Sequence, residues 1–133
     1  MTMPSPRGGV FHPTVVVVDD DSDICCFIED ALVSHGYRVV SVPNGLELLT
    51  ALAGKKPDLI LLDVMMPAVS GLDLCRALKR SPEFCDIPVV LMSALELGND
   101  VQTVLTTCAA EYLKKPFQLA QLVARVDELI GPP

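Results

Sequence analysis

Asp19 and Asp20 follow directly on four consecutive valines at 15–18. Asp63 follows Leu59-Ile60-Leu61-Leu62, Ser93 follows Val90-Leu91-Met92, and Lys114 and Lys115 follow Tyr112-Leu113. Each of these apolar runs therefore ends in a group able to bind a cation, attack an electrophile, donate a hydrogen bond or carry positive charge. If the runs lie side by side as parallel strands, their carboxyl ends line one crevice, where three carboxylates, a hydroxyl and an ammonium converge. Carboxylates held that close repel one another unless a cation or a shared proton compensates them. A hard divalent ion such as Mg²⁺ meets that need, since it takes oxygen ligands and combines one or two protein carboxylates with phosphate oxygens. Asp20 and Asp63 could ligate directly and Asp19 through water, with a backbone carbonyl just after Asp63 completing the protein's share. The lysine would stabilise charge on a transferring phosphoryl group, and Ser93 could donate to one of its oxygens. Each element alone is ordinary, because an acidic pair after a strand commonly serves the next helix's N-terminus. Their joint occurrence at successive strand ends is what points to chemistry.

Positioning these groups requires an alternating architecture, and the sequence supplies one. Short β-branched runs alternate with longer stretches of helical period, the pattern of a parallel sheet covered on both faces. Strands are expected over 15–18, 37–42, 59–62, 89–92 and about 111–113. The first helix, over 22–35, has Ser22 as its expected N-cap, an inner face of Ile24, Phe27, Ile28, Ala31 and Leu32, and Gly36 as its stop. Asn44 caps a second helix carrying Leu46, Leu48, Leu49 and Leu52 up to Gly54. A third, over about 71–80, buries Leu72, Leu74 or Cys75, and Leu78. A further helix over about 96–107 contains Gly98, Val101, Val104 and several Thr or Asn residues, poorer helix formers than Ala or Leu, and is expected to be the least stable. The last, over about 119–130, presents Leu122, Val126, Leu129 and Ile130.

Length and charge bound the function classes. With 133 residues, half of them apolar, the chain has room for one well-packed domain. A net charge of −7 opposes binding to nucleic acid or to an anionic membrane through general electrostatics. No apolar run approaches the roughly 18 residues of a membrane span. Residues 1–13 are expected to form a flexible N-terminal tail, 14–130 the domain, and 131–133 a C-terminal tail or the start of a linker. The five cysteines show neither C-x-x-C nor Cys/His metal spacing, so reduced thiols and a cytoplasmic location are expected.

The residues that carry these features resemble the receiver domains of two-component response regulators over essentially the whole span 14–130. The match consists of Val17-Val18-Asp19-Asp20, Asp63-x-x-Met66-Pro67-x-x-x-Gly71, Ser93-Ala94 and Tyr112-x-x-Lys115-Pro116-Phe117, in family order and spacing. The resemblance implies a flavodoxin-like doubly wound α/β fold with five parallel strands in the order 2-1-3-4-5. It implies that Asp63 is the phosphoacceptor and that Asp19, Asp20, Asp63 and the Met65 backbone carbonyl hold Mg²⁺, for which Mn²⁺ can substitute. Ser93 and Lys115 would contact the phosphoryl group, Tyr112 would turn inward as the switch partner of Ser93, and the Lys115–Pro116 bond would be cis. The implied role is that of a phosphoacceptor which promotes its own phosphorylation and slow dephosphorylation without being a turnover enzyme. The implied partners are a sensor histidine kinase or phosphotransfer protein, docking on the first helix and the loop after Lys115, and an output protein or covalently linked output domain. The output surface would comprise the helix over 96–107, the last strand and the last helix.

Several positions depart from the family pattern. Cys108-Ala109-Ala110-Glu111 replaces the more usual Gly-Ala-Asp-Asp, and Ser70 stands where Asp often precedes Gly71. Of the acidic and basic residues that link the dimers of DNA-binding relatives, Glu111 and Arg125 are kept while Thr107 and Gln121 replace usual acids, so any homodimer should be weak or phosphorylation-dependent. The two positions that tune dephosphorylation in the family are Met65 and Leu95, both apolar, which implies a long-lived phosphoaspartate. Two alternatives remain. One is a protein-interaction module of the same fold that signals without phosphorylation, which metal-dependent labelling of Asp63 would exclude. The other is a haloacid-dehalogenase-type phosphatase with Asp19 as nucleophile and Asp21 as second acid, which turnover of a generic phosphomonoester would support.

Overall fold

The structure is a computed structural model and describes residues 12–66, 69–94 and 108–131. Five strands, β1 (Thr14–Val18), β2 (Arg38–Val42), β3 (Leu59–Asp63), β4 (Val89–Ser93) and β5 (Glu111–Lys114), alternate with helices α1 (Ser22–Ser34), α2 (Gly45–Gly54), α3 (Gly71–Arg80) and α4 (Leu119–Ile130). The strands form one parallel sheet in the order β2-β1-β3-β4-β5. That is the flavodoxin-like α/β arrangement the resemblance implied. The helix expected over 96–107 lies outside the described residues.

The three central strands are buried along their whole length, and the side-chain period of two explains why they are uniformly apolar. Val16, Val18, Ile60, Leu62, Val89 and Leu91 face the layer of α2 and α3, with Leu48, Leu52, Leu74, Cys75 and Leu78. Val15, Val17, Leu59, Leu61, Val90 and Met92 face the opposite layer of α1 and α4, with Cys25, Ile28, Leu32, Leu122 and Val126. A polar residue within these runs would have been buried without a partner, so the first polar positions fall at the strand ends.

Two sequence expectations need correction. The N-cap of α1 is Asp21, whose side chain accepts from the Asp23 and Ile24 amides, and Ser22 is the first helical residue. The buried face of α1 runs through Cys25, Ile28 and Leu32, while Phe27 is 62% exposed. Likewise α2 buries Leu48 and Leu52, but Leu46 is 75% exposed. In both helices apolar residues exceed what one sheet face can cover, and the angle at which each helix packs decides which are left out. The expected cap at Asn44 is present, with its side chain accepting from the Glu47 amide, and Gly36 follows α1 at φ 102, the left-handed conformation that favours glycine.

Candidate functional site

The register of the sheet brings the polar strand ends together. Asp63, the last residue of β3, pairs with Met92, and Ser93, the last of β4, pairs with Lys114. Asp19 follows β1 immediately, its amide donating to the Val42 carbonyl at 3.2 Å. The Lys115 amide donates to the Ser93 carbonyl at 2.8 Å. Asp19, Asp63 and Ser93 are all buried, at 2%, 4% and 0% exposure, whereas Asp20 reaches solvent. Carboxylate oxygens of Asp19, Asp20 and Asp63 lie within 4.8 Å of one another.

Lys115 Nζ sits 2.8 Å from Asp19 Oδ2 and 3.6 Å from Asp63 Oδ1. The other oxygen of Asp19 accepts from the Asp21 amide at 2.9 Å, and Asp63 Oδ1 accepts from the Met65 amide at 3.2 Å. Tyr112 is half-buried, with its hydroxyl 3.4 Å from the Ser93 carbonyl oxygen, to which it donates. The Lys115–Pro116 bond is cis, as the resemblance implied. Asp19, Asp20, Asp63, Ser93, Tyr112 and Lys115 therefore lie in or beside one crevice. Leu95 and Thr107 lie outside the described residues.

Gly71 closes the crevice from behind. Its amide donates to the Val64 carbonyl at 3.0 Å, and a Cβ at this position would stand 2.1 Å from the Asp63 carbonyl oxygen. Only glycine lets α3 start this close to the end of β3. Ser70 caps that helix, accepting from the Leu72 amide at 3.1 Å, so the departure from Asp at this position preserves the cap.

Burial, and next the neighbouring Asp19 charge, push the Asp63 carboxyl above its ordinary range, and Lys115 only partly offsets them. For Lys115 burial opposes the charge, but the hydrogen bond and charge of Asp19, with Asp63, outweigh it and raise the ammonium. An acid whose pKa is higher folded than unfolded contributes stability below the unfolded carboxylate range, and that contribution is lost as pH rises through the folded value. At neutral pH ionised Asp63 therefore costs the metal-free domain stability. Asp63→Asn should unfold at higher urea than wild type at pH 7 in EDTA, with the difference shrinking as pH falls toward the carboxylate range. An unchanged or lower midpoint at pH 7 would contradict this account.

The donor set is oxygen from three carboxylates with one ammonium beside it, and among the described residues no sulfur or imidazole joins the cluster. An anionic crevice of hard donors fits a hard divalent cation of the Mg²⁺ class.

Two features were not legible in the sequence. An apolar recess of about 460 Å³ borders the crevice, lined by Ile24, Phe27, Ile28, Ala94, Lys115, Pro116, Phe117 and Leu119. At the other end of α1, Asp127 of α4 accepts from the Tyr37 hydroxyl and pairs with His35 Nε2 at 3.0 Å. The Tyr37 hydroxyl also lies 3.0 Å from the Gly131 carbonyl. Tyr37 and Asp127 are 90 positions apart, and no local pattern announces such a pair.

Residues 15–127 match the family model described as the response regulator receiver domain. The transcriptional regulatory protein PrrA of Mycobacterium tuberculosis is 40% identical over 122 residues, covering 92% of this chain and 52% of PrrA. The sensor histidine kinase TmoS of Ectopseudomonas mendocina is 37% identical over 120 residues, covering 90% of this chain and 12% of TmoS. Among solved structures, the receiver domain of the sensor histidine kinase PA1611 from Pseudomonas aeruginosa PAO1, which holds a magnesium ion in its active site cleft, superposes with a TM-score of 0.80 at 27% identity. That similarity covers 91% of this chain and 99% of the other. The chain thus spans about half the length of PrrA and a small part of TmoS.

Proposed function

The chain belongs to the receiver-domain family of two-component response regulators, and from that premise we propose that Asp63 accepts a phosphoryl group and that the added charge changes partner binding. The observation that carries this reading is the buried Asp63 carboxylate held between Asp19, Asp20 and Lys115 at the carboxyl end of the sheet. An Asp63 oxygen attacks phosphorus, and the bond to the donor's histidine nitrogen or acyl oxygen breaks, the donor keeping the electron pair. Lys115, whose ammonium lies 2.8 Å from Asp19 and 3.6 Å from Asp63, compensates charge on the transferring group, and Ser93 donates to one of its oxygens. Asp19, Asp20, Asp63 and the Met65 carbonyl would hold Mg²⁺, which when bound neutralises the acids and the phosphate oxygens. The magnesium in the PA1611 cleft supports that assignment.

The phosphoryl donor is a sensor histidine kinase or phosphotransfer protein, and the site is cytoplasmic. Receiver domains are generally not turnover enzymes, and Met65 supports slow loss of the phosphoryl group here. Its side chain is exposed but offers no donor, and only a weak thioether acceptor, to orient an attacking water. Met65→Asn should shorten the half-life of the purified acyl phosphate several-fold, read by intact mass over time. An unchanged half-life would remove Met65 from this role.

The donor docks on the apolar recess beside Lys115. Phe27 and Leu119 are exposed at its rim, and exposed aromatic residues over a recess are the usual anchors of such contacts. Phe27→Ala should slow transfer from the partner kinase at least about tenfold and leave labelling by acetyl phosphate unchanged. Equal loss in both assays would show damage to the site rather than to docking. Arg125 Nε lies 3.6 Å from Glu111 within one chain, and Arg125 also pairs with Glu128. These ion pairs would have to exchange before Glu111 and Arg125 could link two copies, in keeping with a weak or phosphorylation-dependent homodimer.

The reading is tested by intact mass after incubation with acetyl phosphate. A gain of one phosphoryl group only with Mg²⁺ supports it, and no gain in wild type supports a phosphorylation-independent interaction module.

A further inference from the structure

We propose that Cys75 and Cys108 are a disulfide-forming pair, a covalent modification site separate from the strand-end crevice, which closes within the native fold when the chain meets a small-molecule disulfide. The inference is independent of the phosphoacceptor reading. Cys75 lies in α3 and Cys108 three residues before β5, and both are buried in the layer beneath α2 and α3. Cys75 Sγ donates to the Cys108 carbonyl oxygen at 2.9 Å, and both side chains belong to one buried cluster, Cys75 at 0% and Cys108 at 2% exposure.

A buried thiol on its own behaves as a small apolar side chain. Two buried thiols of one cluster, one of them 2.9 Å from the other residue's own backbone carbonyl, need only a side-chain rotation to approach the roughly 2.05 Å bond of a disulfide. The other thiols are placed differently. Cys25 points at the Asp19 carbonyl, and Cys26 and Cys85 are exposed. Cys108 is also the position at which the sequence departs from the family's usual glycine, so the second sulfur is a feature of this chain.

The reaction balances without any further reagent. One cysteine thiolate attacks the small disulfide, forming a mixed disulfide and releasing one small thiolate. The second cysteine thiolate then attacks the protein sulfur of that bond, the Cys75–Cys108 bond forms, and the second small thiolate leaves. Two thiol hydrogens of the protein end on the two released thiols. Burial, and next the neighbouring Cys108, push the Cys75 thiol well up from its ordinary range. Because the thiolate is the nucleophile, the reaction is slow in the closed protein. The bond ties α3, whose first residue packs on the Asp63 carbonyl, to the entry of the strand that leads to Lys115.

The test uses the full chain carrying Cys26→Ser and Cys85→Ser, which removes the exposed thiols, incubated without denaturant with 2-hydroxyethyl disulfide. The expected result is loss of the mass of two hydrogens, a proteolytic fragment joining Cys75 to Cys108, and reversal by dithiothreitol. Tm of the oxidised form should rise by about 5 °C or more, since the bond closes a long loop. Adding Cys108→Ala, or Cys75→Ala should that variant not fold, should abolish the mass loss. A folded chain that forms no such link, a link through Cys25, or a link that leaves Tm unchanged or lowered would overturn the proposal.

Discussion

Incubated with acetyl phosphate and Mg²⁺, the wild-type chain should gain one phosphoryl group and Asp63→Asn none, with intact mass as the readout. The loss is expected to be complete because an amide offers no anionic oxygen to attack phosphorus, and no neighbour is placed to replace it. Asp19 is nearer to Lys115, but one of its oxygens is held by that ammonium at 2.8 Å and the other by the Asp21 amide at 2.9 Å. Asp20 is exposed and would meet phosphorus without the buried surroundings that stabilise developing charge. The substitution keeps the shape of the side chain and its acceptor for the Met65 amide. It also removes a charge that burial and Asp19 disfavour, so unfolding cannot account for the loss. Residual labelling that maps to Asp19 or Asp20 would move the phosphoacceptor, and labelling of wild type without a divalent cation would remove the metal from the reading.

Gly71→Ala should be more damaging than alanine at Gly45 or Gly54, costing about 3 kcal/mol or more in urea unfolding. The added Cβ would lie 2.1 Å from the Asp63 carbonyl oxygen and 2.8 Å from the Asp63 carbonyl carbon and Val64 Cα. All three are backbone atoms at the end of a central strand, so no side-chain rotation relieves the overlap, and either α3 or the end of β3 must move. Because that strand end carries Asp63, phosphoryl acceptance should fall with stability. Gly45 gives the contrast, since a Cβ there would meet Leu74 Cδ1 at 2.7 Å, the far end of a flexible side chain. Gly45→Ala should cost less than about 1.5 kcal/mol. Gly54, at the end of α2, has nothing within 4 Å, and alanine there should be neutral or stabilising by up to about 1 kcal/mol. Equal losses for Gly71→Ala and Gly45→Ala would show that the two contacts yield alike.

The sequence by itself determined where the polar groups lie along the chain. Strands buried on both faces must be apolar at every position, so Asp63 and Ser93 stand out as strand termini and Asp19 as the residue just beyond, while the last strand is only partly buried and the family motif chose Lys115 over Lys114. The alternation of five such runs with helical stretches limited the fold to a parallel sheet covered on both sides, although the strand order came from the family motifs. What local pattern could not decide was orientation and pairing. Phe27 and Cys25 are both apolar choices for the inner face of α1, and only the packing of α1 against the sheet and α4 turned Cys25 inward and Phe27 toward the recess. The sequence placed Lys115 beside the acids, but the fold decided that its ammonium rests nearer Asp19 than Asp63. The pairing of Glu111 with Arg125 inside one chain, the Tyr37–Asp127 bond and the Cys75–Cys108 contact join residues far apart in sequence. Periodicity reports which face of an element is apolar, whereas such contacts depend on the relative placement of elements, which only the folded chain fixes.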